Sequence, residues 1–486
     1  MATDGSGRAD PATDGLVARR RRSDAEQNYS RIIEAAVELL EQNPAPSVDQ
    51  IATAAGLGRA TVYRHFPGRS ELLETARRHA VDAAAMSAPE RPAVASPSGD
   101  GAADDGVAEL LNRVPPHQIG DQIVAEARRL PGVSSVALYV VDIDGSRLLR
   151  VAGSQEFPDE LDAPFAVGPE IPRDGVANLR RMVAEELPGS VAAPLFLRGR
   201  AIGLLLAVGA DQVTLDILAR ESAVAINLAE DYTDVIALSR RRKPISAAGE
   251  IQQNLLPPRI AQISGAALAG NVLPSYDVGG DWFDYAENSE GSWLAVADAT
   301  GKGATAASLG ALALGAFRAA RRSGASLEEA AEAIHQAITE VNESRAVVTA
   351  VLGRWHGPTA TFSWITCGHP VPIVITPDGN LRTLDAPDHG ALGGSDSGPH
   401  WPPSKVRLTA GERLILYSDG ITERPTQAGV PFGLTGLRDA VAHARTASAA
   451  ATVKAIEAAV ADASTTDLED DATLLVLAPT EAPRPA

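Results

Sequence analysis

VADATGKG, spanning Val296 to Gly303, decides the reading of this chain. The apolar run WLAVAD carries a strand pattern into Asp298, and Gly301 and Gly303 then allow a sharp turn close to a ligand. Three other acidic motifs accompany it: GGDWFDY (Gly279 to Tyr285), YSDGITE (Tyr417 to Glu423) and DDATLLVL (Asp470 to Leu477). RLILYSD runs into Asp419 in the same way, and Asp470 and Asp471 open the strand ATLLVL. One aspartate at a strand–turn junction is usually a turn or cap residue. A set of them is different, because carboxylates crowded at strand ends repel one another unless hard cations neutralise them. Oxygen ligands without His or Cys favour magnesium or manganese over zinc. The residues therefore point to a two-metal hydrolase.

The segment from about Ile251 to Leu477 resembles the SpoIIE-type branch of the metal-dependent (PPM) serine/threonine protein phosphatases. An NLLP segment (Asn254 to Pro257), GGDxxD, DxxGxG, a GH pair, SDGxxE and DDxT follow one another in the family order. The resemblance implies an α+β domain with a central antiparallel β-sandwich flanked by helices. It also implies two divalent cations, Mn2+ or Mg2+, and hydrolysis of phosphoserine or phosphothreonine without a phosphoenzyme. Carried over by position, Asp298 is the bridging ligand, joined by the carbonyl of Ala299, while Asp419 and Asp470 complete one metal's shell. Asp281 holds the second, with Asp284 reaching it through waters, and Asp284, Asp471 and Lys302 stand just outside the ligands. Two such ions, about 3.5–4 Å apart, lower the pKa of a shared water and neutralise the phosphoryl oxygens. His369 in CGHP is expected to shape a turn, Cys367 to be buried, and Glu423 to brace its loop. Trp282, Thr300 and Lys302 depart from the family pattern but leave every metal-binding carboxylate intact.

The bulk numbers set the frame. The 486 residues suggest about three domains. A net charge of −19 argues against a general nucleic-acid or membrane binder. Val17 to Arg91 is the exception, with 11 Arg against 10 Asp plus Glu, a net of +1. The single Cys367 excludes an internal disulfide and a cysteine metal cluster, which fits a cytoplasmic protein. No signal peptide is visible, and the most apolar stretches are shorter than the ~20 residues of a membrane span.

Along the chain, residues 1–22 read as a disordered arm, 23–85 as helices, and 86–106 as a Pro/Ala/Ser/Gly linker. Residues 107–231 alternate helix and strand: a helix Gln118 to Leu130, strands Val136–Asp142 and Leu148–Ala152 about a turn at Asp144-Gly145, and a hairpin Val191–Leu197 with Ala201–Val208. A long helix from Val213 to about Arg242 closes the region. That order resembles a GAF domain, an α/β sensor fold, which implies an unidentified small-molecule ligand. Residues 232–258 form a helical connector, 259–479 the phosphatase domain and 480–486 a tail.

RIIEAAVELLEQ, then VDQIATAAGL with Ser47 as cap, then ATVYRHF after Gly56 and Gly58, form a helix-turn-helix pattern. GRATVYRHFPGRSELL (Gly58 to Leu73) resembles the recognition segment of TetR-type regulators. By that resemblance Arg59, Thr61, Tyr63, Arg64 and His65 meet DNA, Phe66 belongs to the core, and the Arg19–Arg22 run lies along phosphates. Where TetR-type proteins continue into an all-helical domain, this chain has a linker, a sensor and a phosphatase, so it must dimerise through those.

The sequence thus predicts a cytoplasmic, sensor-gated, homodimeric phosphoprotein phosphatase with a DNA-binding module. Proteins of this resemblance often act on phosphorylated STAS-type anti-sigma-factor antagonists, which is the substrate the resemblance implies here. The rival reading is a TetR-like transcription regulator whose GAF and phosphatase-like regions mainly sense and dimerise.

Overall fold

The computed structural model describes residues 28–76, apart from 30, 34, 38, 40–45, 67, 69–71 and 74. It also describes residues 107–480, apart from 274–278, 342–345, 388, 396–399, 443–447, 467 and 469. The arm, the linker, the tail beyond Thr480 and the Arg19–Arg22 run lie outside these. The chain divides into two units, Met1–Ala102 and Ala103–Ala486.

In the first unit, helix α1 (Val48–Ala54) starts at Ser47, whose hydroxyl accepts from the Gln50 amide while the Gln50 side chain accepts from the Ser47 amide. Gly56 takes the left-handed turn, at φ 64°, and α2 (Arg59–His65) follows. Ile32, Ile51, Val62, Phe66 and Leu72 close a small core, so the apolar spacing reads correctly.

The second unit begins with α3 (Val107–Arg113) and α4 (Ile119–Arg128). An antiparallel sheet follows, from β1 (Ser135–Val141), β2 (Arg147–Gly153), β3 (Glu160–Asp162), β4 (Ile171–Pro172), β5 (Ser190–Leu197) and β6 (Arg200–Val208). Its order is β3-β2-β1-β6-β4, with β5 on the far edge of β6. Helix α5 (Val176–Glu186) covers one face. Helices α3, α4 and α6 (Gln212–Ala229) cover the other.

Here one expectation fails. The closing helix does not run to Arg242; it stops at Ala229, and a short α7 (Val235–Ser239) follows. Asp231, Tyr232, Thr233 and Asp234 are weak helix formers. Tertiary bonds then turn the chain back: the Ile143 amide donates to the Arg240 carbonyl, and Arg242 pairs with Asp142 and Asp144 at 2.6 and 3.0 Å. Helix α8 (Ala247–Leu255), capped by Ser246, leads into the last region.

That region is a sandwich of two antiparallel sheets. Strands β7 (Ile260–Ile263), β8 (Ala266–Leu273), β9 (Trp282–Asn288) and β10 (Gly291–Ala299) precede helices α9 (Gly303–Arg322) and α10 (Leu327–Val341). Then come β11 (Val348–His356), β12 (Thr361–Cys367), β13 (Ile373–Ile375), β14 (Leu381–Thr383), β15 (Ser404–Arg407) and β16 (Arg413–Tyr417). Helices α11 (Asp419–Thr422), α12 (Gly433–Ala442) and α13 (Ala449–Asp462) lead to β17 (Ala472–Pro479). The sheets run β15-β12-β11-β10-β9 and β14-β13-β16-β17-β8-β7. Phe283, Leu294, Val296, Leu416 and Leu475 fill the space between them. Alternate residues of the same strands turn outward: Trp293, Ala295 and Ala297 pack under α9 and α10, and Ile415, Leu474 and Val476 pack under α13. Among the described residues no helix is long and apolar enough to cross a membrane.

The two halves of this unit share a buried join. Glu170, beside β4, meets the Arg200 guanidinium at 2.8 Å and accepts from the Ile260 amide at 2.9 Å. Arg259 lies beside it, donating to the Pro257 carbonyl and to Gln253 of α8.

Candidate active site

Strand parity places the acids. In β10, Leu294 and Val296 face the inter-sheet core, so Asp298, two further on, comes out at the open end of that gap. Asp281 shares the parity of Phe283 and is 3% exposed. Asp471 shares that of Leu475 and is equally buried. Asp419 opens α11 directly after β16, and Asp470 is exposed at the mouth.

Two glycines let the motifs meet. A Cβ on Gly280 would stand 2.6 Å from the Ala299 Cβ and 2.7 Å from its carbonyl oxygen, so the first motif lies against the second. A Cβ on Gly420 would come within 1.9 Å of the Asp471 carbonyl oxygen, so the third lies against the fourth.

Charge then accumulates. Burial, followed by the Asp298 and Asp471 charges, pushes the Asp281 carboxyl well above its usual range. Burial and Asp470 raise Asp298 as well. Asp419 is pushed up to about 6 by burial, then by Asp298, Glu423 and Asp470. Asp471 also rises to about 6, chiefly through burial, although the Gly279 and Asp281 amides and the Gln252 side chain donate to it. The Asp281 Oδ2 is buried with no hydrogen-bond partner. An oxygen-only donor set carrying such an orphaned acceptor and excess negative charge fits hard divalent cations. Among the described residues no three Asp, Glu, His or Cys side chains form a ready-made metal shell.

Asp284 is the correction. It shares the parity of Trp282 and points away from the site, under α9. Arg318 and Arg321 neutralise it at 2.8 and 2.7 Å, so arginines take the place expected for a cation. Lys302, at the start of α9, lines a cleft of about 190 Å³ with Asp419, Glu423, Arg424, Leu468 and Asp470. Glu423 is exposed there, and its amide donates to the Asp419 carbonyl. His369 is buried and held neutral, its pKa lowered to about 3 by burial, with Nδ1 2.7 Å from the Thr349 hydroxyl. Thr349 pairs with Asp298 across the β10–β11 ladder. Cys367 is buried.

Sequence reasoning missed Gln252. From α8 its Nε2 donates to the Asp281 carbonyl at 2.8 Å and to Asp471 Oδ2 at 3.0 Å. A glutamine on the inward stripe of Ala248 and Ile251 was the available signal.

In the first unit, α2 carries Arg59, Thr61, Tyr63, Arg64 and His65 in its seven residues. Arg59 is exposed and pairs with Asp49 at 2.9 Å; Thr61 and His65 are half-buried. The side chains of Tyr63 and Arg64 lie outside what the structure describes. Phe66 is buried and stacks on Tyr29, with ring centroids 5.2 Å apart.

Comparison with known proteins agrees with both ends. Residues 288–479 match the model of the stage II sporulation protein E family, and residues 32–76 match that of the tetR family of bacterial regulatory proteins. The phosphoserine phosphatase RsbU of Bacillus subtilis is 23% identical over 49% of this chain and 70% of its own length. The HTH-type transcriptional repressor LfrR of Mycolicibacterium smegmatis is 40% identical over 12% of this chain and 30% of its own length. Among solved structures, the RsbU and RsbW domains of a Mycobacterium tuberculosis protein are 27% identical, with a TM-score of 0.41, covering 46% of this chain and 62% of that one. The chain thus spans less than a third of the repressor and under two-thirds of that solved structure. It carries a SpoIIE-type domain of the PPM/PP2C serine/threonine phosphatases, which are metal-dependent hydrolases, and an N-terminal TetR-type helix-turn-helix domain.

Proposed function

We infer that this chain is a cytoplasmic phosphoserine/phosphothreonine protein phosphatase whose output is tied to transcription. The observation that carries this reading is the convergence of Asp281, Asp298, Asp419 and Asp470 at one end of the sandwich, in a domain of this family. Asp298, with the Ala299 carbonyl beside it, Asp419 and Asp470 would hold one cation, and Asp281 the other. Bound there, two cations supply an acidified water and neutralise the phosphoryl oxygens. The protein's own part is to hold the acids. Gly279 and Asp281 amides and Gln252 fix Asp471, and Asp471 fixes the GGD loop that presents Asp281. Lys302 and Arg424 line the cleft beside Asp419, where an anionic substrate approaches.

The substrate is read as a phosphorylated STAS-type anti-sigma-factor antagonist. Likeness to the phosphoserine phosphatase RsbU supports phosphoserine chemistry, and the STAS-type identity rests on the family resemblance alone. Residues 107–231 serve as the GAF-like sensor, 232–258 as connector and 259–479 as catalytic domain. The N-terminal domain, residues 23–85, binds DNA through Arg59, Thr61, Tyr63, Arg64 and His65. One such domain reads one half-site, so a homodimer is expected. The outer face of α6 favours it: Val213, Ile217, Val224 and Leu228 are 47–66% exposed on one stripe.

The test is turnover of phosphorylated STAS-type proteins with manganese, wild type against Asp298→Ala. Activity lost in the variant supports the enzyme. Equal activity, or none in either, overturns it.

A further inference from the structure

The sensor-like region carries a basic groove that catalysis does not use. It runs along the outer edge of β5, with a volume of about 470 Å³. Pro194 on that edge lacks an N–H, and the β5–β6 register shifts between Pro194 and Phe196. Arg180 and Gln212 each donate to the Ala192 carbonyl at 3.1 Å. The edge is thereby closed to another strand, and the space beside it stays open. The sheet face under α5 is filled by Tyr139, Leu148, Leu179 and Leu204, and the groove opens at its rim, lined by Val176, Ala177 and Arg180 of α5.

The charges around the groove do not cancel. Arg180 is matched by Asp216, at 2.7 and 2.9 Å. Arg173 and Arg220 line the same groove, and among the described residues neither has a carboxylate partner. Two uncompensated guanidinium groups in a chain of net charge −19 are suited to an anion. Between them lie Phe196 and Pro194, an apolar floor. The lining holds no hydroxyl or amide side chain, so the donor and acceptor edges of a nucleotide base would go unsatisfied there.

We propose that this groove is the input site of the sensor, and that it takes a small, flat, apolar carboxylate. Arg173 and Arg220 bind the carboxylate, and Phe196 and Pro194 pack against the apolar body. The turn that begins at Arg173 continues through Asp174 and Gly175, which line a smaller cleft against Ala450, Ala451 and Lys454 of α13. A ligand on Arg173 therefore grips a turn bordering the catalytic half. This deepens the reading of residues 107–231 as a sensor, and a binding measurement tests it independently of turnover.

The full chain is titrated by calorimetry with 2-naphthoate, with its uncharged counterpart 2-naphthalenemethanol and with cyclic GMP. Expected is one saturable site per chain for naphthoate, at least tenfold tighter than for the alcohol or the nucleotide, and weakening as salt is added. Arg173→Ala weakens naphthoate at least tenfold. Ala177→Trp, a substitution at an exposed position on the groove wall, abolishes it while both variants melt as wild type does. No saturable binding, equal affinity for the alcohol, tighter binding of the nucleotide, or naphthoate binding unchanged in both variants would overturn the proposal.

Discussion

Asp281 and Asp284 stand three positions apart at the beginning of β9, and the parity of the strand sends them to opposite sides of one sheet. Beneath α9, Asp284 is 1% exposed and held between two guanidinium groups. In the gap between the sheets, Asp281 is 3% exposed, faces other carboxylates, and keeps one oxygen unpartnered. Both are buried acids in the same motif. One is neutralised by its own chain and serves the fold; the other requires a charge from outside. That difference separates a structural carboxylate from a ligand better than burial or motif membership does.

The largest effect that sharpens the contrast is on chemistry. Asp298→Ala should lower turnover on the order of a thousandfold or more, because a donor aimed at the reacting phosphoryl group's cations is gone. Its melting temperature in chelator should hold or rise, since one of several repelling buried charges has been removed. A calorimetric melt beside a turnover assay checks both halves. A variant that unfolds would mean that Asp298 belongs with Asp284.

Asp284→Ala should behave in the opposite way. It strands Arg321, whose side chain is 8% exposed, without its counter-ion. Breaking a buried pair from one side costs about 3–5 kcal/mol. Denaturant unfolding should show that loss, while the fraction that remains folded turns over at close to the wild-type rate. A fall in turnover with stability intact would return Asp284 to the metal site.

A smaller effect lies at Gln252, which donates to both Asp471 and the Asp281 carbonyl. Gln252→Leu removes both bonds and leaves buried acceptors unmet, a loss of about 1–3 kcal/mol. Manganese affinity should weaken, by roughly 10–100-fold, as expected when a group orienting the ligands is lost. Titration calorimetry measures it, and unchanged affinity would confine Gln252 to packing.

The contrast also shows what could be read in the chain. Strand ends at Asp298 and Asp419 were legible, because an apolar run meeting an acid and a glycine has few other solutions. The capped α1 and the Arg198-Gly199 hairpin turn, both at positive φ, were legible for the same local reason. Asp284 was misplaced by reading the motif as a unit; counting by twos from Trp282 would have put it under the helix. The end of α6 at Ala229 was hidden, since Arg242 finds Asp142 one hundred positions away. Gln252 bonding to Asp471 and Glu170 bonding to the Ile260 amide are equally long-range, and local periodicity carries no record of them.

The finest test uses acidity alone. Asp419 and Asp471 are both pushed up to about 6 in the folded protein, first by burial, from an ordinary value of 3.8. Between those two values the folded state holds more protons than the unfolded one. A raised carboxyl therefore lends stability that is present below its unfolded value and lost as the pH climbs through about 6. Chelator-treated protein should accordingly melt higher near pH 5 than near pH 7, by a few degrees, since Asp419 is partly solvated. Manganese should reverse the trend, because it replaces those protons, and its stabilisation should be greater at the higher pH. Asp284→Ala should leave this pH dependence in place at lower overall stability, since arginines already balance that carboxylate. Asp281→Asn should flatten it in part, because a carboxyl itself held well above its usual range is replaced by an amide that does not titrate. Equal slopes in the two variants would erase the distinction between the faces of β9.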